Sequence, residues 1–374
     1  MANKIILGLA LTLILIMPTT TMFAHADSSP TPPPSGTNFS ITGAGSSFVF
    51  PLMDKWRVEY NAFYPNVKLN YASVGSGAGI TQFTKKTVDF GATDAPLFPS
   101  DMKAAPGALT FPESIGAITV SYNLYGVKTG LKLTGPTIAS IFEGKIIYWD
   151  DPAIKNTNQG VYLPHARITV VHRSDGSGTT FAFTQYLSTV SPQWKHDIGF
   201  GKAVPWRAGI GAPNNAGVAH YVQLTPYSIG YVELAYAMQN KMTYAAVQNA
   251  DGDNFVLPTI DTTLAAASQA ASLPASNGDW HNVSIVNEPG LNSYPLASFT
   301  YIVAYSDLSK LKSMNADKAG VLVHLIWWMI HDGQSYAKPL WYVPLPDNVV
   351  QDDMNGLSMF KFGGHQLFSY TGGA

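Results

Sequence analysis

At 374 residues, with 46% hydrophobic and only 12% charged residues, a formal net charge of −2 and no cysteine, the chain exceeds one ordinary core and has no disulfide framework to support it. The absence of a basic excess argues against a nucleic-acid partner. A charged share roughly half the usual one leaves Ser, Thr, Asn and Tyr to supply polarity, so two lobes held by packing are the expectation.

In chain order, Lys4 precedes an apolar run from Ile5 to Met17, and Ala24-His25-Ala26 follows, which reads as an export signal over residues 1–26 with cleavage before Asp27. The run is shorter than the ~20 apolar residues a bilayer span requires, so cleavage is favoured over anchoring. No Cys follows it, which excludes a lipoprotein anchor. The protein is therefore expected outside the cell, in a periplasm or at the cell surface. Residues 27–37, rich in Ser and Pro, read as an extended, semi-rigid linker, and folding is expected to begin near Asn38. The triplets at Asn38 and Asn282 match glycosylation sequons, a pattern common by chance.

SITGAGSS, residues 40–47, reads as a strand entering a glycine turn, and Leu52, Trp56 and Tyr60 then recur at helical spacing over 48–60. Residues 67–74 alternate as a strand does, and GSGAG at 75–79 opens a second helical segment with Ile80 and Phe83. A third short strand, 88–92, ends at Thr93-Asp94-Ala95-Pro96. This repeated order of strand, small-residue turn and helix points to a largely parallel sheet whose ligands sit at the carboxyl ends of the strands. Further strands are expected over 117–125, 167–171, 228–232 and 299–304, with a short helix over 138–143. AGVLVHLIWWMIH, 319–331, is apolar nearly all round but, at about 13 residues, reads as a buried helix rather than a membrane span.

The stretch VHRSDGSGTTF, 171–181, sets Arg173 and Asp175 two apart at a strand end and places Ser177, Gly178 and Thr179 before a helix. A helix N-terminus beside a guanidinium suits an oxyanion, and the same residues suit a plain helix cap. GAGSSF at 43–48 approaches the dinucleotide fingerprint, but Phe48 stands where the third glycine would be, and no P-loop occurs. Ser177 lacks the G-x-S-x-G nucleophile elbow, and the nine His show neither H-E-x-x-H spacing nor a Cys partner for a metal. Asp94 reads either as a turn acceptor or, at the same sheet edge as Arg173, as a carboxylate that repels any oxyanion without a proton to donate.

These motifs carry a family likeness. TGAGSSF at 42–48, the strand and GSGAG at 67–79, VDFGATDAPL at 88–97, GKIIYWDDPAI at 144–154, RSDGSGTTF at 173–181 and IGYVELAYA at 229–237 resemble, in order and spacing, the phosphate-binding proteins of phosphate-specific ABC transporters. The resemblance covers about Ile41 to Pro346; the tail from Val349 to Ala374 matches less well. It implies a two-lobed α/β periplasmic-binding-protein fold, each lobe a mixed, mostly parallel sheet flanked by helices. Lobe I would comprise 38–117 and 298–374, and lobe II 118–297, with the ligand in the cleft between them. The likeness further implies a phosphate held by Ser47 and Phe48 (backbone N–H), Ser76, Asp94, Arg173, Ser177, Gly178 and Thr179, with Asp175 orienting Arg173. Ser47 stands where the family has a Thr and keeps its hydroxyl. No cofactor, metal or catalysis is implied; the partners would be inorganic phosphate and permease subunits with their ATPase, and the chain a monomer. An extracellular phosphate-ester hydrolase and a phosphate-sensing or adhesion protein are the alternative readings of the same scaffold.

Overall fold

The computed structural model describes residues 29–269 and 273–370; the expected export signal lies outside the described residues. The linker is mostly exposed from residue 31 to 38 and is tied to the body at a few points. Pro30 is buried, and the Asn66 side-chain amide donates to the carbonyls of Pro34 (2.9 Å) and Thr37 (2.7 Å).

β1, Phe39–Gly45, buries Phe39 and Ile41 and exposes Ser40, as a half-covered strand should. α1, Phe50–Phe63, buries Leu52, Met53, Trp56 and Tyr60 on one stripe. β2, Val67–Ser73, α2, Ser76–Thr84, and β3, Phe90–Thr93, complete the first two strand-turn-helix units. The next element departs from the expected strand over 117–125. β4, Ala108–Tyr122, runs fifteen residues and is buried throughout. Its first half is masked in the sequence by Pro112 and Gly116, residues unfavourable in a regular strand. Pro112 is tolerated because it lies at a bulge: Thr300 faces Ser114 while Tyr301 faces Pro112, which leaves Glu113 as the extra residue.

Beyond β4 come β5, Thr169–Arg173, α3, Gly178–Val190, β6, Ile210–Ala212, α4, Asn214–Leu224, β7, Ser228–Glu233, and β8, Ala297–Tyr305. The strand order is β2-β1-β3-β8-β4-β7-β5-β6. The pairs toward both ends, β1 with β2 and β3 and β5 with β6 and β7, are parallel, whereas the central pairs through β8 and β4 are antiparallel. β4 is the shared element: its residues 108–117 pair with β8 and its residues 118–122 with β7. Parallel strands thus enter from both ends with their carboxyl termini converging on the middle of β4.

α5, Ala316–Ile330, begins three residues before the apolar run because Asn315 caps it, accepting from Lys318 N at 2.8 Å, and it is mostly buried. The tail is built into the same half. A helix, Asp347–Leu357, buries Val349, Met354 and Leu357, and Phe360 stacks on Phe111 with centroids 5.5 Å apart. No helix among the described residues is long and apolar enough to cross a membrane.

Candidate functional site

Each small-residue turn sits where a parallel strand ends. Gly45 closes β1 with φ +146°, and a Cβ there would lie 1.9 Å from the Ala92 carbonyl, so only glycine allows β1 and β3 to approach so closely. Its own carbonyl accepts from Val74 and Gly75 (3.0 and 2.8 Å), which ties the second turn to the first. α2 then starts at Ser76, and Asp94 follows β3. From the other end, β5 delivers Arg173, Ser177 caps α3 by accepting from Thr180 N at 3.0 Å, and Pro213 leads into Asn214 and Asn215 at the start of α4.

These groups meet. Asp94 and Arg173 are each only 3% exposed. Asp94 Oδ1 accepts from the Ser46 hydroxyl and from Thr300 Oγ1 at 3.2 Å, and Oδ2 accepts from Thr179 Oγ1 at 3.4 Å. Arg173 grips Asp175 in two parallel bonds, Nε to Oδ1 at 2.7 Å and Nη2 to Oδ2 at 2.5 Å, and its Nη1 reaches Thr179 Oγ1 at 3.4 Å. Its backbone N–H donates to the Tyr231 hydroxyl at 3.1 Å, which fixes the strand end beneath it. Gly178 lies directly against Asp94: a Cβ added there would fall 2.6 Å from Asp94 Cβ and 2.7 Å from its N and Oδ2. Gly77 N donates to Gly176 O at 2.8 Å and Asn214 Nδ2 to Ser73 O at 3.3 Å, so the two ends of the sheet close on each other here.

The hydroxyls share one property. Ser47 Oγ accepts from Asn215 N (3.2 Å) and Nδ2 (3.1 Å), Ser76 Oγ from Asp94 N (3.2 Å), and Ser177 Oγ from Thr180 N. Each is used as an acceptor, so each keeps its own proton to donate. Of the backbone donors expected, that of Phe48 is committed elsewhere, as is the N–H of Ser177. The Phe48 N–H donates to Ser46 Oγ at 2.9 Å and the Ser177 N–H to Lys202 O at 2.8 Å.

Burial pushes the Asp94 carboxyl up to about 6, against the hydrogen bond from Ser46, the charge of Arg173 and the hydroxyls of Thr300 and Thr179. Asp175 is also partly buried, yet its bonds to Arg173 and that residue's charge win and hold it below the usual range. The arrangement is short of net positive charge and rich in donors. It can hold an oxyanion by hydrogen bonds, and Asp94 Oδ2, which has a single long contact from Thr179 Oγ1, keeps a lone pair suited to a proton carried by that anion.

Every site residue expected from the sequence therefore lies at this junction. Sequence reasoning missed Ser46, Asn215, Thr300 and Glu113. Asn215 carried a signal, since Pro213-Asn214-Asn215 is another polar turn opening a helix; Thr300 lies inside a strand and carried none. His172 and Ser177 are not hydrogen-bonded to each other: the imidazole stacks on Trp206, centroids 4.7 Å apart, with Nδ1 at 3.0 Å from the Arg173 carbonyl. Among the described residues no group of three or more His, Asp or Glu is placed to hold a metal ion.

Comparison with known proteins agrees in scale. A family model described as a PBP superfamily domain matches residues 28–321. The phosphate-binding protein PstS of Xylella fastidiosa (strain Temecula1) is 44% identical over 329 residues, covering 87% of this chain and 87% of that protein. The phosphate-binding protein PstS of Methanocaldococcus jannaschii is 37% identical over 381 residues, covering 96% and 97%. A solved phosphate-binding protein from Stenotrophomonas maltophilia superposes with a TM-score of 0.62 at 18% identity, covering 84% of this chain and 93% of that one, which speaks to the fold.

Proposed function

This chain belongs to the PstS phosphate-binding proteins of the PBP superfamily, and on that premise we propose that it captures inorganic phosphate for an ABC-type importer. The observation that carries the reading is Asp94, a buried carboxylate facing Arg173 and Thr179 across the junction with one edge open to a ligand proton. Monohydrogen phosphate has an O–H to give to Asp94 Oδ2 and oxygens to receive the protons of Ser47, Ser76 and Ser177 and the N–H groups of Arg173 and the α3 N-terminus. Hydrogen bonds to a charged group contribute roughly 1.5–3 kcal/mol each, so several together support tight binding without a strong positive field. Sulfate, bearing no proton at neutral pH, meets Asp94 oxygen to oxygen. Sites built to bond a ligand hydroxyl reject the analogue lacking it by roughly 10⁴- to 10⁵-fold.

In this reading the ligand shell is Ser47, Ser76, Asp94, Arg173, Ser177, Gly178 and Thr179, with Asp175 holding the guanidinium in place and the expected Phe48 N–H committed instead to Ser46 Oγ. Lobe I is 38–117 with 298–374, and lobe II is 118–297; the change of β4 partner between Ala117 and Ile118 supports that boundary. The protein acts outside the cell after export, as a monomer, and hands phosphate to permease subunits driven by their ATPase without chemical change. Titrating Asp94→Asn with both anions tests the reading: the expected result is a sharp fall in preference for phosphate over sulfate, and an unchanged preference would contradict the proton-acceptor role.

A further inference from the structure

The two oxygens of Asp94 are treated differently. Oδ1 receives the Ser46 hydroxyl and Thr300 Oγ1, whereas Oδ2, on the side of Gly178, has one long contact to Thr179. Ser46 Oγ itself accepts from Phe48 N at 2.9 Å and Val49 N at 3.3 Å. With both lone pairs engaged, its single proton is directed to Asp94.

Thr300 has one hydroxyl proton and two carboxyl groups within reach. Its Oγ1 lies 3.2 Å from Asp94 Oδ1 and 3.1 Å from Glu113 Oε1, and one hydroxyl proton serves only one of them. Both contacts are satisfied if Glu113 is protonated, donates to Thr300 and leaves Thr300 to donate to Asp94. Glu113 is placed for this because it is the extra residue of the β4 bulge, a device that re-aims side chains, and its Oε2 has no partner. Burial first, and then the charge of Asp94, lift its carboxyl to about 8, with Thr300 opposing. Asp94 is faced also by Arg173, by Glu233 at the end of β7 and by the phenols of Tyr71, Tyr236, Tyr301 and Tyr342. Burial raises Glu233 and all four phenols, so Arg173 is the charged group among these neighbours.

We propose that Ser46 and the Glu113–Thr300 pair are positioning residues for anion selectivity: they saturate Oδ1 of Asp94 with donors, hold the group as a carboxylate and leave Oδ2 to accept the proton of the bound oxyanion. This rests on the phosphate-binding reading and adds residues that act on Asp94, Ser46 and Thr300 directly and Glu113 through Thr300.

The test is titration of Ser46→Ala, Thr300→Val and the hydroxyl-retaining Thr300→Ser with phosphate and with sulfate, from about pH 5 to about pH 8, the span over which Asp94 and Glu113 titrate. Losing a donor to the carboxylate raises its pKa, so Asp94 takes up a proton, and begins to tolerate sulfate, at higher pH. Expected are a fall in the phosphate-to-sulfate affinity ratio of about ten-fold or more in Ser46→Ala and Thr300→Val, and an upward shift in the pH below which sulfate binds. Thr300→Ser should stay near the native protein in both. Equal loss of both anions with an unmoved sulfate onset would reduce Ser46 to a cap for Phe48 and Val49 and overturn the proposal. If the native chain bound no phosphate at any pH, the underlying reading would fail instead.

Discussion

Asp94 is a buried and Asp175 a partly buried carboxylate near Arg173, and burial prevails at the first and the guanidinium at the second. The difference is geometric, since Asp175 takes both parallel bonds of Arg173 and a further one from Asn214 N at 3.1 Å, while Asp94 depends on hydroxyls. Arg173 is thereby largely neutralised, so that in the proposed reading discrimination rests on hydrogen-bond donors and on Asp94. Glu113 adds a stability prediction. Its carboxyl titrates at 4.5 when unperturbed and at about 8 when folded, so the folded chain holds an extra proton between those values. Stability should then fall as pH rises through that window and level off above it. Glu113→Gln is expected to flatten this fall in the thermal midpoint, and an unaltered slope would show that Glu113 does not cause it. In the sequence Asp94 and Arg173 were legible because each ends a strand beside small residues. Ser46 was not, because nothing local tells two adjacent serines in a turn apart, and it was the family likeness that assigned the site to Ser47. Glu113 and Thr300 meet only across a bulge, which no local period reveals.

The elements carry the closure. α3 begins at Gly178 pressed against Asp94, with the Ser177 cap aimed into the same junction. Gly178→Ala puts a methyl group where Asp94 stands, and overpacking of this kind costs roughly 1–3 kcal/mol. The cost falls on the closed form, so calorimetry should show phosphate affinity reduced by about ten-fold or more, with the unliganded protein melting close to the native temperature. Undiminished affinity would mean the two ends do not approach this closely when phosphate is bound. The strand-turn-helix units were readable because their turns are small and their helices periodic. β4 was half hidden, since Pro112 and Gly116 are tolerated only by a bulge and by the Phe48 ring, which lies within 2.5 Å of where a Gly116 Cβ would stand.

Across the whole molecule, β4 joins two ends of one sheet whose parallel strands bring their terminal turns to the same place. Closure is reported by Gly77 N to Gly176 O and Asn214 Nδ2 to Ser73 O, and by the partly exposed Lys202–Asp101 pair at 3.1 Å. Such an ion pair contributes about 1 kcal/mol at most, so Lys202→Ala should leave affinity within a few-fold. Hydrogen exchange at the Gly77 amide should instead slow markedly when phosphate is added; a rate insensitive to phosphate would contradict ligand-linked closure. Composition is consistent with this economy: at a net charge of −2 with 12% charged residues, Ser, Thr, Asn and Tyr supply most of the polarity. The central claim is tested most directly by calorimetric titration of the purified protein with inorganic phosphate in a large excess of sulfate. One phosphate per chain, bound tightly and with an affinity indifferent to sulfate, is the expected result; no phosphate heat, or its displacement by sulfate, would contradict the account.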